Sequence, residues 1–381
     1  MRIASYNVEN LFDRAKVFNE QQHGARQDII DAYAEISELF ERDDYSAADK
    51  ARMLERLDTL DLLTDDDGAF ARLRKIRGQL IRRPRDRDKP KEIVAKGRGD
   101  WVGWVELKTE AVDETAMVLT GRVIFDVSAD VLGVVEAESR PVLTMFQDFM
   151  AKKFDLAPPY AHVMLIDGND QRGIDVAIGT KAGYEIVAMR SHVDDLMDNG
   201  ERVFSRDCPE YVVRTPSGAL VVFLVNHFKS KFGGNDPSSQ AKRRAQAEAV
   251  ANIYRRLTDD GMQNVVVLGD LNDTPDSDEL KPLLAGTDLK DASHSENFTE
   301  VEFAADNGDR GIGTFGLGND DDKIDYLLLS PALFERIEKG GIFRKGAWPG
   351  SRPPRWEVYP ELTAPLHAAS DHHLIWVDLD I

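Results

Sequence analysis

Eight short apolar runs, rich in β-branched residues and bounded by turn residues, constrain this chain more than any other feature. They are Ile3 to Val8, VLGVV (131–135), HVMLI (162–166), IDVAI (174–178), ALVVFLV (219–225), NVVVLG (264–269), IDYLLL (324–329) and HLIWVDL (373–379). Each reads as a strand. Helical patterns lie between several of them, around Thr115 to Val127, Arg140 to Phe154 and Ser239 to Leu257. Together they describe an α/β protein of layered sheets.

Residues 14–112 read differently, as an insertion that interrupts the strand-rich body. An amphipathic helix, DIIDAYAEISELF, places Ile29, Tyr33, Ile36 and Phe40 at helical spacing. Ser46 and Asp49 then stand in capping spacing ahead of Ala51, Leu54, Leu57 and Leu60. From Arg72 to Arg98 the charge changes sign, with twelve Lys/Arg against three Asp/Glu, and the prolines and glycines there suit an exposed arm or loop. Such a tract is either a solvated loop that balances acidic patches or an arm that offers phosphate contacts through Arg82, Arg83, Arg85 and Arg87. The domain reading is therefore one domain over 1–381 with a helical and basic insertion at 14–112.

The whole chain of 381 residues is acidic, with a formal net charge of −20. That charge repels polyanions at long range and argues against a protein that coats nucleic acid nonspecifically, though not against an enzyme with a local basic groove. The lone Cys208 cannot form an intramolecular disulfide, so a reducing compartment is compatible. No apolar run approaches membrane-spanning length, and the opening MRIASYNVENLF lacks the pattern of a secretory leader. A cytoplasmic location without membrane attachment is expected; nothing in the sequence fixes an oligomeric state.

The polar residues that terminate the strands point to chemistry. Asn7, Glu136, Asn226 with His227, and Asp270 follow or close their runs, whereas Asp325 and the pair Asp371/His372 open theirs. If strands alternate in direction within packed antiparallel sheets, these ends and starts share one rim. A hard divalent ion such as Mg²⁺ takes oxygen ligands, usually one or two carboxylates with waters and substrate phosphate oxygens. Glu136 and Asp371 can supply the charge, with Asn7 as a neutral or water-mediated ligand. A histidine poised by a buried carboxylate, or a strand-end aspartate, can take a proton from an attacking water. Alone, each of these residues is more often a turn former or a satisfied structural group. Their joint arrangement suits phosphate-ester cleavage.

SYNVENLF, ADVLGVVEAE, RGIDVAI, VNHFKSK, GDLNDTPDS, DKIDYLLL and SDHHLI resemble, in order, the motifs of the endonuclease/exonuclease/phosphatase superfamily. The resemblance covers residues 1–13 and about 113–381. It implies a four-layer α/β sandwich of the deoxyribonuclease I-like type, with two packed, mainly antiparallel sheets flanked by helices, and here a helical insertion. Carried over by position, Glu136 matches the principal metal-binding glutamate and Asn7 the asparagine at the metal and phosphate. Asp270 and Asn272 match the pair that orients or deprotonates the water and binds the scissile phosphate. Asp371 matches the aspartate beside the metal, His372 the catalytic histidine and Asp325 the aspartate that orients it. His227 matches the second histidine of the deoxyribonuclease-like branch, a candidate acid for the leaving group. Lys229 and Lys231 resemble basic residues after that histidine and are read either as phosphate contacts or as a solvated loop. VVEAE lacks the glutamine that usually precedes the first acid, and Glu9 and Glu138 offer alternative ligands, so one metal or two stays open. His23, His162, His192, His294 and His367 fall outside the motifs, and His373 is expected on the opposite face from His372.

The resemblance implies a Mg²⁺-dependent hydrolase, with Mn²⁺ as a substitute. The leading reading is a nuclease, endo or exo, on DNA or RNA. A phosphatase or phosphodiesterase for a small phosphorylated molecule is the alternative, favoured by the net charge. A non-catalytic scaffold would need none of Asp270, Asn272, Asp325 and His372 together.

Overall fold

The computed structural model describes residues 1–9, 13–15, 27–84, 86, 89–111, 114–170, 173–231, 237–301, 309–350 and 354–381. The chain divides into two compact units, one of residues 1–12 with 113–381 and one of residues 13–112. β1 (Arg2–Asn7) opens the first unit. The second holds β2 (Asp13–Ala15), α1 (Gln27–Phe40), α2 (Ala47–Thr59), β3 (Ala71–Arg77), β4 (Ile81–Arg82), β5 (Glu92–Ile93), β6 (Val102–Leu107) and β7 (Thr109–Ala111). The first unit resumes with α3 (Glu114–Val127), β8 (Val131–Ala137), α4 (Arg140–Phe154), β9 (His162–Leu165), β10 (Asp175–Thr180), β11 (Glu185–Arg190), β12 (Glu210–Arg214), β13 (Leu220–His227) and α5 (Pro237–Asp259). It closes with β14 (Val265–Asp270), α6 (Lys281–Leu284), β15 (Lys290–Asp291), β16 (Phe298–Glu300), β17 (Asp325–Leu329), α7 (Pro331–Phe334), β18 (Ile337–Phe343) and β19 (Leu374–Leu379).

Two sheets carry the first unit. A seven-stranded sheet runs β16-β18-β19-β1-β8-β10-β9, and a six-stranded one runs β11-β12-β13-β14-β17-β15. Most neighbours are antiparallel, but β1 lies parallel to β8, β13 parallel to β14 and β16 parallel to β18. Alternation explains the stacking. Ile3, Val131, Ile375 and Val377 of one sheet share a core with Val221, Phe223, Val225, Val266, Leu268 and Leu327 of the other. The intervening Ala4, Tyr6, Leu132, Val134 and Trp376 pack instead with Leu119, Val123, Phe146 and Met150 of α3 and α4. Val222, Leu224, Val265, Val267 and Tyr326 pack with Val250, Ala251 and Tyr254 of α5. The order is helix, sheet, sheet, helix, a four-layer α/β sandwich. The sheets approach closely at Gly133, where an added Cβ would stand 2.1 Å from Leu268 Cδ1. Each sealed aliphatic side chain in these layers contributes about 1.5–3 kcal/mol. All eight apolar runs are strands, and β11, β12, β15, β16 and β18 extend the sheets beyond them.

The second unit has its own core, in which Ile36 and Phe40 of α1 and Met53 and Leu57 of α2 meet Leu62, Leu80 and Trp101. Ser46 caps α2 reciprocally: Asp49 N–H donates to Ser46 Oγ at 3.1 Å and Ser46 N–H to Asp49 Oδ2 at 2.9 Å. Its buried stripe is Met53 and Leu57, while Ala51 is exposed. The basic tract departs from the arm-or-loop expectation, because it supplies β3, β4 and β5. Several of its cations are tied within the unit. Arg72 pairs with Asp67, Arg74 with Glu106, Arg82 with Glu92 and Arg98 with Glu41. Arg83 donates to Asp66 and to the Leu62 and Leu63 carbonyls, the pattern of a loop-holding residue. Arg85, Arg87 and His23 lie outside the described residues. β2 and β7 pair antiparallel, Asp13 opposite Ala111, so the chain enters and leaves this unit side by side. Among the described residues no helix is long and apolar enough to cross a membrane.

Candidate active site

Strand direction and side-chain parity bring the polar residues to one rim. Asn7 continues the inward row of Ile3, His227 that of Val221, Phe223 and Val225, and Asp270 that of Val266 and Leu268. Asp325 begins the row of Leu327 and Leu329. In the ladder His227 is the partner of Asp270 and Asp270 that of Asp325, so the three stand abreast across β13, β14 and β17. Gly269 allows this approach: its φ is 125°, and a Cβ there would meet the Asn226 carbonyl oxygen at 2.0 Å.

Glu136 breaks the parity. Simple alternation would send it outward with Leu132 and Val134, yet it reaches the rim. The β8–β10 register jumps from Val135↔Val176 to Ala137↔Asp175, leaving Glu136 as the extra residue of a bulge, with φ 66°. Bulges re-aim side chains. A left-handed non-glycine backbone costs of order 1–3 kcal/mol and gathers at functional sites. Asn272, with φ 52°, is a second such residue beside Asp270.

Asn7 is the hub. Its Nδ2 lies 3.4 Å from Glu136 Oε1, 3.3 Å from Asp270 Oδ2 and 3.4 Å from His372 Nε2, while its Oδ1 accepts from Glu9 N–H at 3.1 Å. The amide is thus turned as a donor toward the acids. His372 Nδ1 bonds Asp325 Oδ2 at 2.8 Å, which fixes the ring and leaves Nε2 facing Asp270 Oδ2 at 3.9 Å and Asp371 Oδ1 at 3.9 Å. His227 Nε2 lies 3.8 Å from Glu136 and 3.6 Å from Asp270 Oδ2. Asn272 donates its backbone N–H to Asp270 Oδ1 at 2.8 Å and its Nδ2 to Asp270 Oδ2 at 3.1 Å and to the Phe228 carbonyl at 3.2 Å. Asn7, Glu136, His227, Asp270, Asn272, Asp325, Asp371 and His372 therefore come together.

The two lysines stand apart. Lys229 is held at its backbone N–H by Gln246 Oε1, 2.8 Å away, and the Lys231 ammonium pairs with Asp273. His373 belongs to another cluster, against Arg344 and Trp356, as its place beside His372 suggests. Several positioning residues escaped the sequence reading. Ser370 Oγ donates to the Asn7 carbonyl at 2.8 Å and accepts from His372 N–H at 3.0 Å. Thr314 Oγ1 accepts from Asp325 N–H at 2.9 Å, and Phe315 sets its ring edge-on to His372. Arg243, sealed in α5, donates to Asp273 Oδ2 at 2.9 Å and to the Lys229 and Ser230 carbonyls at 3.4 Å, tying the loop after His227 to the loop after Asp270. Only Ser370, inside SDHH, carried a local signal. The others act across sequence gaps that no motif spans.

Carboxylates outnumber cations here. Burial, reinforced by the Asp325 charge, holds the Asp270 carboxyl above the usual carboxylate range. Burial opposes charge on His372, but Asp325, as neighbour and hydrogen-bond partner, with Asp270 and Asp371, outweighs it and raises that imidazole well above its ordinary value. The rim thus retains protons as its counter-charge. An oxygen-rich, over-acidic pocket fits a hard divalent cation, whose charge would favour the ionised form of Asp270. Two donor sets could hold one. Asp270, Asp325 and His372 have ligand atoms within 4.8 Å of one another, although Asp325 Oδ2 and His372 Nδ1 are engaged in their mutual bond. Glu136 and Asp371, with 21% and 31% of their side chains exposed, are the more open carboxylates.

The model of the Endonuclease/Exonuclease/phosphatase family matches residues 81–347. Among solved structures, the chain is similar to a mannosyl-6-phosphatase of Bacteroides thetaiotaomicron, with 14% identity and TM-score 0.46 over 69% of this chain and 90% of that one. It is also similar to truncated TDP2 of Caenorhabditis elegans, with 17% identity and TM-score 0.44 over 69% and 89%. The human Nocturnin catalytic domain with bound sulfate anion gives 15% identity and TM-score 0.47 over 71% and 88%. No curated protein sequence matches the chain.

Proposed function

Because the chain belongs to the endonuclease/exonuclease/phosphatase family, a superfamily of metal-dependent phosphoesterases, we propose that it hydrolyses phosphodiester bonds, as a nuclease on DNA or RNA. The observation that carries this reading is the convergence of Asp270 and the Asp325–His372 pair on the single amide of Asn7, with a second histidine, His227, 3.6 Å from Asp270. Glu136 and Asp371 would hold Mg²⁺ or Mn²⁺. Such a cation supplies charge neutralisation at the phosphoryl oxygens and the leaving oxygen.

The side chains divide the remaining work. Asp270, with Asn272 fixing both its oxygens, stands to orient the attacking water and take its proton. His372, held charged and oriented by Asp325, stabilises negative charge accumulating on the phosphoryl group. Asn7 Nδ2 and Asn272 offer neutral donors to the same oxygens. His227, at the far side of Asp270 from His372, gives a proton to the departing alkoxide, a group too basic to leave unaided. Lys229 and Lys231 stand on the following loop, where substrate phosphate would compete with Asp273 for Lys231.

A specific observation favours the second reading, a phosphatase or phosphodiesterase for a small phosphorylated molecule. The chain is strongly acidic, and Arg82 and Arg83 of its basic tract are engaged within their own unit. Both readings are tested by one panel, with Mg²⁺ or Mn²⁺, of plasmid DNA, single-stranded DNA, RNA, abasic duplex and small phosphate esters. Turnover of a polynucleotide that disappears in His372→Ala supports the nuclease. Turnover confined to small esters selects the alternative. Full activity in excess chelator would overturn the metal-dependent mechanism.

A further inference from the structure

Between residues 71 and 108 the sequence carries thirteen Lys/Arg and five Asp/Glu, in a chain whose net charge is −20. β3 and β6 form a two-stranded antiparallel ribbon here, with Arg74 directly opposite Trp104 and Lys75 opposite Gly103. Cross-strand partners share a face, so the Trp104 indole and the Arg74 side chain stand together. The ribbon's other face is built from Ala71, Leu73 and Val105, which enter the unit's core with Trp101. That core is complete without Trp104, which is 48% exposed.

The open end of the ribbon is unlike an ordinary solvated hairpin. From Arg74 to Gln79 every residue is exposed, including Ile76 at 71%. A register shift between Lys75 and Arg77 makes Ile76 the bulged residue, on the outward side of the strand. At its base, Arg72 and Arg74 are neutralised by Asp67 and Glu106. Beyond them, Lys75 and Arg77 have no carboxylate within ion-pair distance among the described residues. A large exposed aromatic face, with Arg77 opposite Val102 farther along the same face and Lys75 beside it at the open end, matches a polyanion whose monomers carry flat rings.

We propose that the β3–β6 ribbon binds single-stranded nucleic acid, with Trp104 stacking on a base and Arg77, farther along the same face, together with Lys75 at the ribbon's open end contacting the phosphates that follow it. A duplex hides its ring faces within the stack, so the surface selects single strands. This binding site is separate from the catalytic assignments at the rim, and its test needs no turnover. The full-length protein, kept in chelator, is titrated into fluorescein-labelled single-stranded DNA and RNA oligonucleotides across a range of salt.

Trp104→Ala is expected to weaken binding about tenfold or more, and Trp104→Phe to restore most of it. Lys75→Glu with Arg77→Glu is expected to lower the slope of log affinity against log salt by about 1.4, two phosphate contacts at about 0.7 each. Hydrolysis of a small aryl phosphodiester by the same variants should match the wild type, which separates a failure here from a failure of the catalytic reading. Wild-type affinity in folded Trp104→Ala would overturn the stacking site, as would equal losses for single strands, duplex DNA and polyglutamate. Should Trp104→Ala fail to fold, the charge reversal on exposed side chains decides: an unchanged salt slope rejects the proposal.

Discussion

Replacing Asp325 by Asn separates two ways of using the same cluster. Asp325 is 1% exposed and its Oδ2 bonds His372 Nδ1 at 2.8 Å, so it acts through the imidazole and through its charge beside Asp270, not by touching substrate. A hydrogen bond with an ionised partner is worth about 1.5–3 kcal/mol. At about 1.4 kcal/mol per tenfold, losing the charge should lower kcat about 10- to 150-fold. Where the carboxamide holds the ring in the wrong tautomer, the loss extends towards about 10⁴-fold. KM should stay near wild type. The assay is steady-state hydrolysis of an aryl phosphodiester at stepped metal concentrations, beside His372→Ala. A positioning role predicts that the metal concentration for half-maximal activity is unchanged in Asp325→Asn. A rise of more than about 100-fold in that concentration, with kcat recovered at high metal, would show that Asp270, Asp325 and His372 hold the cation and would refute the assignment to Glu136 and Asp371.

The remaining predictions address the other groups. Glu136→Ala should raise the metal requirement sharply while leaving the fold intact, since that carboxylate is partly exposed and bonded only weakly to Asn7; unchanged metal titration curves would exclude it as a ligand. His227→Ala should cost orders of magnitude with a poor alkoxide leaving group and little with an activated aryl phosphate, and equal losses on both would remove it as an acid. His192, buried between Asp195 and Glu210 at 2.7 and 2.6 Å, is opposed by burial in its charged form, yet the hydrogen bonds it donates to Glu210 and Asp195 raise its pKa. Its contribution to stability is therefore complete below the unfolded value of about 6.5 and lost as pH rises through the folded one. Urea midpoints at stepped pH should decline over that window in the wild type and stay flatter in His192→Gln; parallel curves would reject the linkage.

The site was legible in the sequence where strand parity alone aims a side chain. Asn7, His227, Asp270 and Asp325 extend apolar rows whose inward face is fixed by the core, so a strand reading already contains their direction. Glu136 could be found by motif but not by alternation, because a one-residue bulge redirects it. The donor orientation of Asn7 was equally hidden, since it depends on the Glu9 backbone. β11 and β12 went unread: β11 is largely exposed, and β12 is short and ends in Arg214. In ARLRKIR, charge overshadowed an alternation of Arg72, Leu73 and Arg74 that in hindsight is a strand pattern. The ties of Arg243 to Asp273 and of Thr314 to Asp325 join residues far apart in sequence, and only the closed fold makes them neighbours.

The pairing of Asp13 with Ala111 has a consequence for how such a chain can change over generations. Paired strands lie about 5 Å apart, so a block of some hundred residues begins and ends at nearly one point. A recombination event could add, remove or exchange that block while β1 and α3 keep their places, because closing the gap needs only a short turn. The strands that carry the rim and the block between β1 and α3 are thus free to diverge at different rates.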